Sequence, residues 1–71
     1  MKKIQELQPG QSFYFPASRW IIYTFLENLY RKDGSVKSSK TVIDGKLYPI
    51  YMNPEKQVEV LPNFQSIKKT P

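Results

Sequence analysis

The sequence predicts an all-β fold, a small five-stranded antiparallel barrel of SH3-like type, and three observations predict it. Turn signals built on Pro, Gly, Asn and Asp recur at short intervals. The segments between them are rich in Tyr, Phe, Ile and Val, side chains that fit a pleated, half-buried surface. The chain has 71 residues with neither Cys nor His, so its thin core lacks disulfide staples and the usual structural zinc ligands. One Trp, five Tyr and four Phe must supply the packing, each burying on the order of 150–250 Å².

Gln8-Pro9-Gly10-Gln11 reads as a turn, proline presetting φ and glycine free to take φ > 0. Ser12 to Phe15 forms a first strand, stopped by Pro16-Ala17-Ser18. A second, long strand starts near Arg19 and runs to Lys32, apolar on both faces as far as Leu26 and amphipathic beyond. A bulge near Glu27-Asn28 would let it serve two sheets. Ile22, Phe25 and Leu29 also have helical spacing, but the β-branched and aromatic content and the missing N-cap favour strand. Asp33-Gly34 predicts a two-residue type I′ hairpin turn, returning Ser35 to Ile43 as the third strand. Asp44-Gly45 gives a second such turn and Lys46 to Met52 the fourth strand, where Pro49 demands an edge or a bulge. Asn53-Pro54-Glu55-Lys56 reads as a one-turn 3₁₀ connection into a fifth strand, Gln57 to Leu61. The barrel is expected over 1–61 and a flexible basic tail over 62–71, with Phe64 and Ile67 able to dock. The expected core is Phe13, Phe15, Trp20, Ile22, Phe25, Val42, Ile50, Val58 and Val60.

The phrases Leu7-Gln8-Pro9-Gly10-Gln11-Ser12-Phe13, Tyr23, Asp44-Gly45, Tyr51-Met52-Asn53-Pro54 and Val58-Glu59-Val60-Leu61 follow one another in a familiar order. Over Ile4 to Leu61 the chain resembles small uncharacterised proteins of phages and mobile elements with an SH3-like barrel. The resemblance rests on turn and core signals, so it implies the fold and carries over no functional residue.

Catalysis is not expected. Without His and Cys the common proton shuttles and soft nucleophiles are missing, and neither a glycine-rich phosphate loop nor clustered carboxylates appear. Asp33 and Asp44 belong to Asp-Gly turns, and Glu59 alternates with Val58 and Val60 toward solvent. Glu27 falls across the hairpin from Lys40, which makes it an ion-pair partner rather than a tuned acid. No cofactor and no metal are expected. The lysines at the amino end precede no apolar stretch, and the run Trp20 to Leu26 is too short to span a bilayer. A cytoplasmic protein without a membrane partner, a monomer or weak homodimer, is the expectation.

The formal charge of +5 favours polyanionic partners. On the expected hairpin, Arg31, Lys32, Lys37 and Lys40 gather around Tyr30, which should face Lys37. Lys46, Tyr48 and Tyr51 extend the platform from the neighbouring strand. Phosphates need cations and exposed bases need flat π faces, so this ribbon predicts sequence-tolerant nucleic-acid binding. The plainer explanation is that such lysines keep a hairpin edge soluble and unpaired. Lys2, Lys3, Lys68 and Lys69 are set apart as terminal. No recognition helix is visible to enter a major groove. The rival class is a protein-binding adaptor or inhibitor that uses an aromatic surface made by Tyr14, Trp20, Tyr23, Tyr48 and Tyr51.

Overall fold

A computed structural model describes residues 1–62. Within them six antiparallel strands make one sheet: β1 (Lys2–Lys3), β2 (Ser12–Tyr14), β3 (Tyr23–Tyr30), β4 (Val36–Ile43), β5 (Pro49–Met52) and β6 (Gln57–Val60). No α-helix occurs among the described residues; Ile4–Glu6 and Pro16–Ser18 are single 3₁₀ turns. The spatial order is β1-β6-β2-β3-β4-β5, so the last strand lies between the first two. No pairing joins β1 to β5 among the described residues, and the sheet is open. Two bonds instead tie the Ile4–Glu6 turn to the segment before β6: Ile4 N–H to Lys56 O at 2.9 Å and Gln5 N–H to Pro54 O at 3.2 Å.

There are thus six strands where five are expected, and the extra one is the amino end. Lys2 and Lys3 pair with Val58 and Gln57, which draws Ile4 into the centre of the molecule. The core is Ile4, Leu7, Phe13, Phe25 and Val58, with Phe15, Tyr23, Met52 and Val60 packed against it. Phe13 and Tyr23 lie directly opposite on β2 and β3. Side chains so placed share a face, and the two rings stack at 5.3 Å. Phe15 meets both rings edge-on, the arrangement that ring quadrupoles favour.

Trp20 departs furthest from the expected core, being 78% exposed in the loop before β3. The long second strand begins only at Tyr23, because Pro16–Ser18 and the turn after it occupy the chain up to Trp20. Val42, Ile50 and Ile22 are half-buried rather than central. Register decides Val42: Phe25 lies opposite Thr41, so Thr41 shares its inward face and Val42 takes the other. Ser39 and Thr41 are both fully buried and both satisfied. Thr41 Oγ1 donates to Ile50 O at 3.0 Å. Ser39 Oγ donates to Asn28 Oδ1 at 2.7 Å, and Asn28 Nδ2 donates to Gln5 O at 3.0 Å. A buried hydroxyl or amide left unpaired would cost about 1–3 kcal/mol, so this relay fastens the amino-terminal turn to the middle of the sheet.

The β3–β4 ladder contains two bulges. Leu26 is passed over between the pairs Phe25↔Thr41 and Glu27↔Lys40, and Lys37 is passed over between Leu29↔Ser38 and Tyr30↔Val36. One extra residue on each strand restores the register. The bend expected near Glu27 is therefore present, one residue earlier. Neither Asp-Gly turn is type I′, which needs positive φ at both central residues; among the described residues only glycines have positive φ. Arg31 O accepts from Gly34 N–H at 3.0 Å, and Arg31 N–H donates to Ser35 O at 2.8 Å. This is a three-residue loop, Lys32-Asp33-Gly34, with Gly34 at φ +93°. At Asp44-Gly45 the bond from Lys46 N–H to Ile43 O closes a turn with φ +90° at Gly45, the type II pattern. The chain then loops through Tyr48, and β5 starts at Pro49 instead of Lys46. Pro49 sits on an edge strand, as its missing N–H requires. Asn53–Lys56 is a turn closed by Lys56 N–H to Asn53 O at 3.1 Å, short of a 3₁₀ helix. Phe64, Ile67 and the rest of the expected tail after Pro62 lie outside the described residues.

Candidate nucleic-acid interface

Strand β4 outruns β5, and this unequal length creates the site. The last β4–β5 pair is Ser39↔Met52, after which the chain turns away at Asn53. Val36, Lys37 and Ser38 therefore have β3 on one side and no strand on the other among the described residues. A groove of about 510 Å³ opens there, with Arg31 and Lys37 on the hairpin side, Tyr51 and Met52 on β5, and Asn53 and Glu55 on the turn opposite.

Local chemistry positions each cation. Arg31 follows β3, and its Nη1 donates to Ser35 Oγ at 3.3 Å and to Val36 O at 3.2 Å, which anchors the guanidinium across the loop. Asp33 is occupied within the same loop, its Oδ1 accepting from Ser35 N–H at 2.9 Å and Ser35 Oγ–H at 2.7 Å. Those Ser35 hydrogen bonds, side chain first, hold the Asp33 carboxyl below its ordinary 3.8, with Arg31 adding to the effect. Lys37 is the bulged residue of β4 and is exposed; a bulge re-aims its side chain relative to the regular alternation. Lys40 faces Glu27 as expected from the sequence, and the two approach to 3.9 Å at the exposed surface, where such a pair is worth little. On its other side Lys40 is paired with Tyr51. Lys32 occupies the tip of the loop.

The groove brings together Arg31, Lys37 and Tyr51, with Lys40 beside Tyr51. Tyr30 is 63% exposed, but it lies opposite Val36 instead of Lys37, because the loop holds three residues and the register is restored only at the Lys37 bulge. Lys46 and Tyr48 do not join the group. They sit in the loop after β4, at the far end of an eight-residue strand and thus roughly 25 Å from the hairpin tip. The aromatic set proposed for protein binding is also dispersed. Tyr23 is half-buried in the ring stack, Tyr14 lines a shallow depression with Arg19 and Glu59, and Tyr51 belongs to the groove. Trp20 and Tyr48 remain exposed at one end of the sheet, where Asp44 N–H donates to Ile22 O at 3.0 Å and ties their two loops together.

Three residues of the site escaped the sequence reading. The sequence marks Asn53 and Glu55 only as turn formers; Asn53 Oδ1 does accept from Glu55 N–H at 2.8 Å, while both residues line the groove. Lys3, set apart as terminal, pairs within β1 and places Nζ 2.9 Å from Glu55 Oε1. That hydrogen bond raises the Lys3 ammonium above its ordinary 10.5. The alternation of Lys3 with buried Ile4 was the available signal. No family model, curated protein or solved structure matches the chain.

Proposed function

We propose that this chain is a small non-enzymatic cytoplasmic protein on an SH3-like barrel that binds nucleic acid without reading its sequence. The observation that carries the reading is the groove where β4 outruns β5, with Arg31 and Lys37 along one wall and Tyr51 at its side. Glu55 is paired with Lys3 and Glu27 with Lys40, and the Asp33 carboxylate, bonded to Ser35, keeps its single charge against Arg31, Lys32 and Lys37. The cations are thus left in excess. Their contacts go to phosphate, which positions a strand and carries no sequence information. The barrel reading is supported by the single antiparallel sheet, the last strand inserted between the first two, and the 3₁₀ turn that packs across its open side.

The test is fluorescence anisotropy with labelled single-stranded and duplex oligonucleotides at two salt concentrations. Micromolar binding that weakens with salt by about 0.7–0.9 decades per decade for each phosphate contacted is expected. Exchanging Arg31, Lys32, Lys37 and Lys40 together for Ala should flatten that slope and abolish binding. Full affinity in the quadruple variant would refute the reading.

Exposure of Trp20 at 78%, with Leu47 at 99% in the adjoining loop, favours a second reading, a protein partner taken at that end of the sheet. Such binding would be insensitive to salt and lost on Trp20→Ala. Retention by the quadruple variant would assign the partner to this end.

A further inference from the structure

The groove is a step in the sheet, one strand deep. Its tread is the edge of Val36–Ser38, unpaired on that side among the described residues, and its riser the turn at Asn53. At about 510 Å³ it has the volume of a small-molecule cleft, is open to solvent along one side, and cannot admit the body of a duplex. Tyr51 stands beside it with 55% of its surface exposed, enough support to hold the ring and enough freedom to meet another. Arg31 is fixed on the hairpin wall by its two hydrogen bonds. Across from it, Asn53 Oδ1 accepts from Glu55 N–H, which leaves the side-chain NH₂ as the donor of that amide at the riser.

Resting on the nucleic-acid reading and narrowing it, we infer that this step selects unpaired strands. One nucleobase stacks on Tyr51 while flanking phosphates lie on Arg31 and Lys37. In a duplex the faces of each base are covered by its neighbours, so Tyr51 gains nothing from it. The hairpin cations meet phosphates in either form. The cations therefore supply affinity common to both, and Tyr51 supplies the difference between them.

The experiment uses the full chain with labelled (dT)₁₀, (dU)₁₀, (rU)₁₀ and a ten-base-pair duplex at fixed salt, against wild type, Tyr51→Ala and Tyr51→Phe. Wild type is expected to hold (dT)₁₀ at least about fivefold tighter than the duplex. Tyr51→Ala should lose about tenfold on (dT)₁₀ and nothing on the duplex, and Tyr51→Phe should keep the ring and the affinity. A ring face does not distinguish sugars, so (rU)₁₀ should follow within about threefold of (dU)₁₀, which shares its base; a larger gap moves recognition to the 2′ position and overturns the stacking. Equal losses on both forms, or tighter duplex binding, overturn the inference and leave the broader reading standing. Binding to neither form removes both. Should Tyr51→Ala fail to fold, the wild-type ring protons of Tyr51 decide by NMR. They must shift on adding (dT)₁₀ and stay in place with duplex, and any other pattern refutes the assignment.

Discussion

Ile4 is fully buried although it is the fourth residue of the chain, and replacing it with Ala is the sharpest probe of how the amino end contributes. The change removes three carbon groups, worth about 0.8 kcal/mol each by transfer, so roughly 2.5 kcal/mol before any cavity is counted. The cavity adds to this because the surroundings are held from several sides: Leu7, Phe13, Phe25 and Val58 belong to the same cluster, and the backbone at Ile4 is tied to Lys56. A loss of about 3–4 kcal/mol follows, within the range for such truncations. A chain of 71 residues has about 4–10 kcal/mol of stability in all. Ile4→Ala should therefore leave the fold marginal at 25 °C. Urea denaturation followed by far-UV circular dichroism measures it, with Ile4→Val as the graded control at about 1 kcal/mol. With a slope of about 1 kcal/mol/M, the midpoint should fall by roughly 3 M. A midpoint within 0.5 M of wild type would show that the amino end does not belong to the core, and the sixth strand with it.

Trp20→Ala should change stability by less than about 0.5 kcal/mol, as for an exposed position, and native Trp20 emission should already be that of a solvent-exposed indole, freely quenched by acrylamide. Asn28→Ala strands the Ser39 hydroxyl and the Gln5 carbonyl in one step and should cost about 2–4 kcal/mol by the same denaturation assay, more than deleting either bond alone. Gly34→Ala places a Cβ at φ +93° and should destabilise by about 1–2 kcal/mol without meeting any neighbour, the cost being backbone strain. The Asp33 carboxyl should titrate by NMR below 3.8, and Ser35→Ala should bring it back toward that value. Because the folded-state pKa is the lower one, its contribution is present above the unfolded pKa and fades as pH falls through the folded value. The Lys3–Glu55 pair has the opposite sign: the Lys3 pKa is raised above 10.5, so its contribution is complete below that value and is lost as pH rises through the folded pKa.

Much of the sheet was legible from local chemistry. Val58 and Val60 alternate on one strand, Phe13 lies on another with Phe15 just past its end, and Pro-Gly and Asp-Gly pairs punctuate the chain where the turns occur. The Glu27–Lys40 pairing follows from a two-residue loop that does not form; the third loop residue shifts the register by one and the bulge at Lys37 shifts it back. What failed was whatever depends on a choice made elsewhere in the molecule. Composition places Val42 inside and Thr41 outside; the bulge at Leu26 sets Thr41 opposite Phe25, and the buried hydroxyl is tolerated because Ile50 O accepts from it. Trp20 carries the largest apolar surface and still lies outside, because the Pro16–Ser18 turn ends before the ladder begins. The site was half legible. Arg31, Lys37 and Lys40 announce themselves by charge and Tyr51 by its place on the neighbouring strand, whereas Asn53 joins them only because β5 stops short of the end of β4.

The paired bulges at Leu26 and Lys37 also govern how this chain can change length. Along a regular ladder the loss of one residue turns every later side chain over to the opposite face. A bulge is an already accommodated insertion, so removing the inserted residue leaves all others facing as before. Leu26 and Lys37 are thus positions where the β3–β4 hairpin holds slack, one on each strand, and a deletion at Leu26 should keep Phe25 inward and Glu27 against Lys40. Deleting Asn28 would turn the strand's remaining side chains over. Relatives of this chain that differ by a single residue in the hairpin should carry the gap at one of these two positions.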